Sequence, residues 1–173
     1  MRILFFLLFI TLGQLTHADY LRLVRKAFHN AVLDREKIRA FHDYVFSLPQ
    51  DDAKVQAYQA AAEALSAQLE WSPLRKYQLV LNFSRIIDSA IERDPLDPEI
   101  RFLRQCVEFN IPRFLGLSNN LQKDKEIIME RLTEVQCLSY DPYFTKFIVY
   151  FIRETGLYTT ADVGIISTRL GIN

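Results

Sequence analysis

Apolar residues recur at steps of three and four along most of the chain, which is the spacing of one face of an α-helix. The clearest example lies in residues 53–69, where one such stripe is formed by Val55, Tyr58, Ala62, Leu65 and Leu69. No stretch that is long enough to judge has the period of two that a half-buried strand needs. The pattern therefore predicts an all-α protein with about six to eight helices.

Proline and its preceding residue mark where three of these helices begin. Ser72-Pro73, Asp97-Pro98 and Asp141-Pro142 each place a capping side chain directly before a proline. Proline is favoured at the first helical position because the amide that it lacks would have no partner there. The first of these helices should run to about Arg93. Since its apolar residues form more than one stripe, it should be covered from two sides.

The other elements follow from weaker signals. Asp19 is a candidate cap for the first helix, a second helix should end before Pro49, and residues 121–138 predict another. Residues 147–152, FIVYFI, would suit a strand, but an Asp-Pro start and a following glycine favour a helix. A short last helix is expected at Thr160.

Helix openings recur at a fixed interval. They fall near residues 54, 98 and 142, and the differences 98 − 54 and 142 − 98 are both 44. An interval of this size is typical of a repeated helix pair. An amphipathic first helix followed by a more broadly apolar second one would let a stack of hairpins bury its faces.

The junction between two of these pairs resembles a tetratricopeptide-like helical-hairpin repeat. Ala90 followed by Asp94-Pro95 matches the end of the second helix of that motif. The spacing of its first helix is matched by Tyr58, Ala61, Ala62 and Leu65. The resemblance implies a tetratricopeptide-like stack of antiparallel helical hairpins and a protein or peptide partner. The whole chain also resembles an uncharacterised family of small exported bacterial helical proteins, which implies no activity.

In tetratricopeptide-like proteins the first helix of each pair lines the recognition groove. When the groove positions are carried over residue by residue, the resemblance implies partner contacts from Gln56, Gln59, Glu63, Glu99, Phe102 and Phe109. Between Leu65 and Phe83 the chain has about nine residues more than the motif.

Three arginines are further candidates for binding. Arg101 and Arg104 share one helix face at positions i and i+3, and Arg113 follows, so an anion-binding patch is one interpretation. The other interpretation is a solvated face that is paired with nearby acidic residues, namely Glu99, Glu108 or Asp97.

The connection at residues 110–117 is unusually apolar for a loop. Its side chains at Ile111, Phe114, Leu115 and Leu117 either pack over the helix ends or form an exposed contact patch. We count Phe114 among the candidate partner-binding residues.

The N-terminus has the pattern of a secretory signal. Arg2 precedes an apolar run, and Thr16-His17-Ala18 suits cleavage after Ala18. We therefore expect a signal peptide at residues 1–18, export to the periplasm or medium, and no stable membrane insertion after cleavage. An uncleaved anchor is the alternative. The remaining 173 − 18 = 155 residues suit a single all-α domain at 19–173.

Composition narrows the classes of function. The 21 basic residues equal the 21 acidic ones, so no nucleic-acid partner is expected. His29 and His42 lack metal-ligand spacing, and no phosphate-binding glycine loop or nucleophile motif occurs. Acidic residues lie where predicted helices start or turn, so capping is favoured over catalysis at Asp51-Asp52, Asp94, Asp97 and Asp124-Glu126. We expect no enzyme, metal or cofactor.

The two cysteines are predicted to be free. If the helices that carry Cys106 and Cys137 pair antiparallel, their heights differ by roughly 18 Å, beyond the reach of a disulfide. Both should be buried thiols.

These observations favour an exported, non-catalytic binding or scaffold module of tetratricopeptide-like type. The alternative is a helical carrier of an apolar small molecule. An enclosed apolar pocket of about 300 Å³ or more would favour the carrier, and a shallow open groove would favour the scaffold. An enzyme, the third possibility, should instead place a cluster of ionisable groups in a cleft.

Overall fold

The computed structural model describes residues 17–49, 51–132 and 142–172. In these ranges the chain forms eight α-helices and no strand, so the all-α prediction is confirmed. The helices are α1 (His17–Leu33), α2 (Ile38–Phe46), α3 (Ala53–Ser66), α4 (Pro73–Arg93), α5 (Pro98–Asn110), α6 (Leu121–Arg131), α7 (Pro142–Glu154) and α8 (Thr160–Arg169). None of these helices is both long enough and apolar enough to cross a membrane.

Local capping determines where several helices start. Asp97 Oδ1 accepts hydrogen bonds from the amides of Glu99 at 2.9 Å and Ile100 at 3.0 Å. Ser72 and Asp52 cap α4 and α3 in the same way. Each of these side chains satisfies amides that have no partner within the helix. The capping role predicted for Asp52 and Asp97 is confirmed.

The three predicted openings near residues 54, 98 and 142 coincide with helix starts at Ala53, Pro98 and Pro142. Residues 147–152 lie within α7, so the strand alternative is wrong.

Two other boundaries differ from prediction. The described part of α1 starts at His17, so Asp19 lies inside the helix and is not its cap. α6 ends at Arg131, and residues 133–138 of the predicted helix lie outside the described ranges. Asn120 holds the cap position of α6, and Asp124 faces α5 instead.

Helix α5 lies at the centre of the fold. It packs along α6 and against α3, while α3 also packs along α4. On a further side, Phe102 makes edge-to-face contacts with Phe144, Phe147 and Phe151 of α7, with ring centroids 6.1, 5.8 and 5.4 Å away. Such ring pairs stabilise a core beyond the area that they bury. Because neighbours surround α5, its polar residues from Glu99 to Gln105 are also inside the protein.

An ion pair fastens α8 to α6. Lys125 Nζ lies 2.8 Å from Asp162 Oδ2, and Asp162 also completes a capping box with Thr159 at the start of α8. The hydrogen bond from Lys125, followed by the one from the Thr159 amide, lowers the pKa of Asp162 from 3.8 to about 2.

We expect the Asp162 carboxyl to titrate near pH 2 in an NMR experiment, and Lys125→Met to move its midpoint towards 3.8. Since the folded-state pKa is depressed, its stabilising contribution is complete above about pH 3.8 and is lost as the pH falls towards 2. Lys123→Met, on the exposed side of α6, is the control. A wild-type midpoint near 3.8 would contradict the ion pair.

Candidate functional site

The charged residues predicted for a binding groove on α5 are inside the protein. Glu99, Arg101 and Arg104 are all buried. A charge that leaves water must be paired and hydrogen-bonded, since otherwise its desolvation is costly. The partners of these residues therefore define two buried polar clusters.

The first cluster is centred on Glu99. Arg25 donates from Nε to Glu99 Oε1 at 2.7 Å and from Nη2 to Oε2 at 2.8 Å, and the Tyr58 hydroxyl donates to Oε1 at 2.7 Å. Lys54 Nζ lies 3.0 Å from Asp97 Oδ2 and 3.6 Å from Glu99 Oε2. Burial by itself raises the pKa of Glu99, but the hydrogen bonds and charge of Arg25, followed by the charge of Lys54, hold it below the ordinary value. Glu99 therefore links α1, α3 and α5 as an ionised carboxylate.

The second cluster is centred on Asp124 of α6, which is fully buried. Arg104 donates to Asp124 from Nε at 2.7 Å and from Nη2 at 2.6 Å, and Arg101 donates from Nη1 at 3.1 Å. The predicted solvated face is therefore wrong for Arg101 and Arg104, and so is the capping role for Asp124. Of the expected acidic partners, Glu108 approaches Arg104 at 3.9 Å. The face of α5 that carries both arginines lies against α6, so the guanidinium groups meet a carboxylate of this chain.

The remaining groove residues divide between the interior and the surface. Gln59 is buried and donates to the Val45 carbonyl at 3.0 Å, and Phe102 is buried against α7. Gln56 and Glu63 are half-buried and bond to residues of α4. The residues at the surface are Phe109, Arg113 and Phe114. Partner binding by these ten residues stays a prediction. Most of them make hydrogen bonds, ion pairs or packing contacts with other residues of this chain.

An apolar concavity lies between α1, α3, α4, α5 and α7. We call it the apolar pocket, and its volume is about 720 Å³. Its wall includes the buried Phe28, the half-buried Phe147 and two small residues of α3, Ala61 and Ala64. The other lining residues are Val32, Leu65, Ala67, Gln68, Pro73, Lys76, Tyr77, Val80, Cys106, Val107, Asn110, Ile111, Pro112, Phe114, Leu115 and Phe151.

The apolar loop at residues 110–117 forms one edge of this pocket. Ile111 is buried against the core, whereas Phe114 is 86% exposed at the pocket margin. Gly116 adopts a positive φ of 67°, which allows the chain to turn back after the short 3₁₀ segment Arg113–Leu115. Both predicted alternatives are therefore realised, because part of the loop packs and part is exposed.

The first half of α4 forms the opposite edge. Leu74 is 65% exposed and the preceding Trp71 is 94% exposed, so α4 is not covered from two sides among the residues that the structure describes. The reason is the position of α5, which contacts the C-terminal part of α4. There, Arg104 Nη1 of α5 lies 3.1 Å from Asp88 Oδ1 of α4. An apolar surface is thus exposed next to the pocket.

A second concavity has several charged residues in its lining. It has a volume of about 820 Å³ and lies between the start of α1, the start of α3 and the end of α4. Three of its charged side chains are engaged within the chain: Tyr20 donates to Asp52, Lys54 pairs with Asp97, and Arg93 donates to the Asp51 carbonyl. Over the described ranges, no three His, Cys, Asp or Glu side chains are placed to hold a metal ion.

Cys106 is a free, buried thiol in the wall of the apolar pocket. Burial raises its pKa well above the ordinary value, so it remains a neutral thiol. The prediction of a free thiol is confirmed for Cys106. Cys137 lies outside the described residues.

No protein-family model, curated protein or solved structure matches this chain. A function must therefore be inferred from the geometry of its own sites.

Proposed function

We propose that this protein is a non-catalytic carrier that binds an apolar small molecule in the apolar pocket. The observation that supports this proposal is the pocket itself. Its volume of about 720 Å³ falls within the range of roughly 300 to 1,000 Å³ that is usual for small-molecule sites. Most of its lining side chains are aliphatic or aromatic, as such sites require.

The wall of the pocket is held in place by the core. Phe28 contacts Phe41, Tyr58 and Phe147, with ring centroids 5.8, 5.5 and 5.8 Å away. Because these rings are already ordered, a ligand that enters the pocket need not order them, and the cost of binding is reduced. Burial of its apolar surface would then contribute about 25 cal/mol per Å².

The space for a ligand depends on two alanines. Ala61 and Ala64 are one turn apart on α3 and both line the pocket. A larger side chain at either position would occupy the volume that the ligand needs. These residues therefore offer a direct test.

The proposal keeps two expectations from the sequence, export of the chain and tetratricopeptide-like stacking of its hairpins. The stacking is supported by the packing of α3 with α4, of α5 with α6, and of α3 with α5.

A second candidate function is a scaffold that binds a protein partner. It is favoured by the exposed Trp71, Leu74 and Phe114 beside the pocket, because aromatic and aliphatic residues of this kind anchor protein interfaces.

The carrier is tested with N-phenyl-1-naphthylamine, a neutral probe whose fluorescence rises in apolar surroundings. We expect the wild-type chain to bind the probe, and Ala64→Trp to weaken binding by more than about tenfold, because the indole fills the pocket. Circular dichroism and the thermal midpoint verify that each variant is folded.

Ala40→Trp is the matched control, since Ala40 is exposed on α2, outside the pocket. Trp71→Ser removes the exposed indole on which the scaffold alternative depends. Because Trp71 does not line the pocket, we expect this variant to bind the probe as tightly as the wild type does. The carrier is contradicted if the wild-type chain does not bind the probe, or if the folded Ala64→Trp variant binds it as tightly as the wild type does.

A further inference from the structure

The charged lining of the apolar pocket consists of a single lysine. Of the described residues that line the pocket, Lys76 of α4 is the one with a formal charge. Its side chain is exposed, and no ion pair engages it within the described part of the chain. Lysine ammonium groups recognise anions as compact point charges.

The buried part of the pocket lining is apolar, and the polar lining residues are exposed. The polar lining residues Gln68, Lys76 and Asn110 are all exposed, whereas Phe28 and Cys106 are buried. A ligand that matches this distribution has an apolar body for the interior and a polar group for the edge. Because the edge carries a single positive charge, the matching polar group carries a single negative charge.

We propose that the ligand of this pocket is a free, single-chain amphiphile with a carboxylate head, in the chemical class of the fatty acids. The inference rests on the proposed carrier function and specifies its ligand. The alkyl chain lies along Phe28, Ala61, Ala64 and Phe147, and the carboxylate pairs with Lys76. A neutral alcohol leaves the ammonium unpaired, and a cationic amphiphile is repelled by it. A lipid with two chains is larger than the ligands that pockets of this volume usually enclose.

The test measures displacement of bound N-phenyl-1-naphthylamine at neutral pH by four dodecyl compounds, each below its micellar concentration or, for the uncharged alcohol, below its solubility limit. These are dodecanoate, dodecanol, dodecyl phosphate and dodecyltrimethylammonium. We expect dodecanoate to bind about fivefold more tightly than dodecanol, which corresponds to one solvent-accessible ion pair. Dodecyl phosphate should bind no more tightly than dodecanoate, and dodecyltrimethylammonium should bind the most weakly.

The role of Lys76 is tested by Lys76→Gln, which keeps a polar side chain and removes the charge. We expect this variant to lose the preference for dodecanoate over dodecanol while its affinity for the neutral probe remains within about twofold. Arg75→Gln is the matched control. Arg75 is an exposed cation next in sequence, it contacts Gln78, and it does not line the pocket.

The position of the alkyl chain is tested by its length. From octanoate to decanoate to dodecanoate, each added methylene should tighten binding by up to about fourfold, because it moves from water into the apolar pocket. In Ala64→Trp this dependence should disappear, since the space for the chain is filled.

The possible outcomes separate the two proposals. If the probe binds but wild-type protein prefers dodecanol, or treats both compounds equally, the carboxylate ligand is wrong and the carrier stands. The same conclusion follows if Lys76→Gln and Arg75→Gln have equal effects. Co-sedimentation with phosphatidylglycerol vesicles without displacement by dodecanoate would identify a membrane lipid instead and overturn the inference. If the neutral probe does not bind, both the proposed carrier function and the proposed carboxylate ligand are wrong.

Discussion

Replacing Asp124 by asparagine is expected to lower the free energy of unfolding by about 3 to 5 kcal/mol. Asp124 is fully buried and accepts hydrogen bonds from both Arg101 and Arg104. Asparagine has nearly the same shape but no charge, so two buried guanidinium groups lose their shared carboxylate. Arg101 retains the Pro95 carbonyl at 3.0 Å and Arg104 retains the exposed Asp88, neither of which replaces a buried carboxylate. Chemical denaturation of the purified chain measures the loss.

Glu126→Gln is the control for this change. Glu126 is exposed on the same helix and accepts a hydrogen bond from Gln122. A surface substitution of this kind should change the free energy of unfolding by less than about 0.5 kcal/mol. Equal effects of the two substitutions would show that Asp124 does not join α5 to α6.

Replacing Glu99 by glutamine should cost a similar amount, about 3 to 5 kcal/mol. The substitution removes the carboxylate that pairs with Arg25 through two hydrogen bonds and that faces Lys54. Three helices meet at this carboxylate, so the effect should appear as a loss of global stability. Glu92→Gln, at an exposed position of α4, is the control.

The cost of Glu99→Gln should also depend on pH. Because the folded-state pKa of Glu99 is lowered from its ordinary value of 4.5, the carboxylate contributes its full stability above about pH 4.5. That contribution is lost as the pH falls below 4.5 towards the folded-state pKa. The difference in stability between the wild type and Glu99→Gln should therefore narrow in acid. A difference that stays constant from pH 7 to pH 3 would show that folding does not lower the pKa of Glu99, and a difference that widens in acid would show that this carboxyl is neutral in the folded chain.

Several helix starts could be read from the sequence because their causes are local. Asp97 caps α5 through amides that lie two and three residues further along the chain, and Ser72 caps α4 in the same manner. Such contacts form within one turn of helix, whatever the rest of the chain does. The start of α6 at Leu121 also agrees with the sequence prediction, although Asn120 makes no side-chain capping bond there.

The candidate site was only partly visible in the sequence. The apolar residues of the 110–117 loop pointed to it, and four of them, Ile111, Pro112, Phe114 and Leu115, line the pocket. Ala61 and Ala64 of α3 also line the pocket, but the sequence pattern did not mark them as pocket residues. Lys76 carried no signal, since an exposed lysine on a polar helix turn resembles many others.

The sequence by itself determined an all-α protein whose helices start near residues 53, 73, 98 and 142, because helical periodicity and capping depend on residues within a few positions of one another. Only the tertiary structure decided which charges are buried. Arg104 and Asp124 are 20 residues apart, and Arg25 and Glu99 are 74 apart. The apolar pocket likewise requires side chains from five helices, between Phe28 and Phe151. A residue's partner across such distances depends on how whole helices pack, and the pattern along one helix does not specify the face that a distant helix will present.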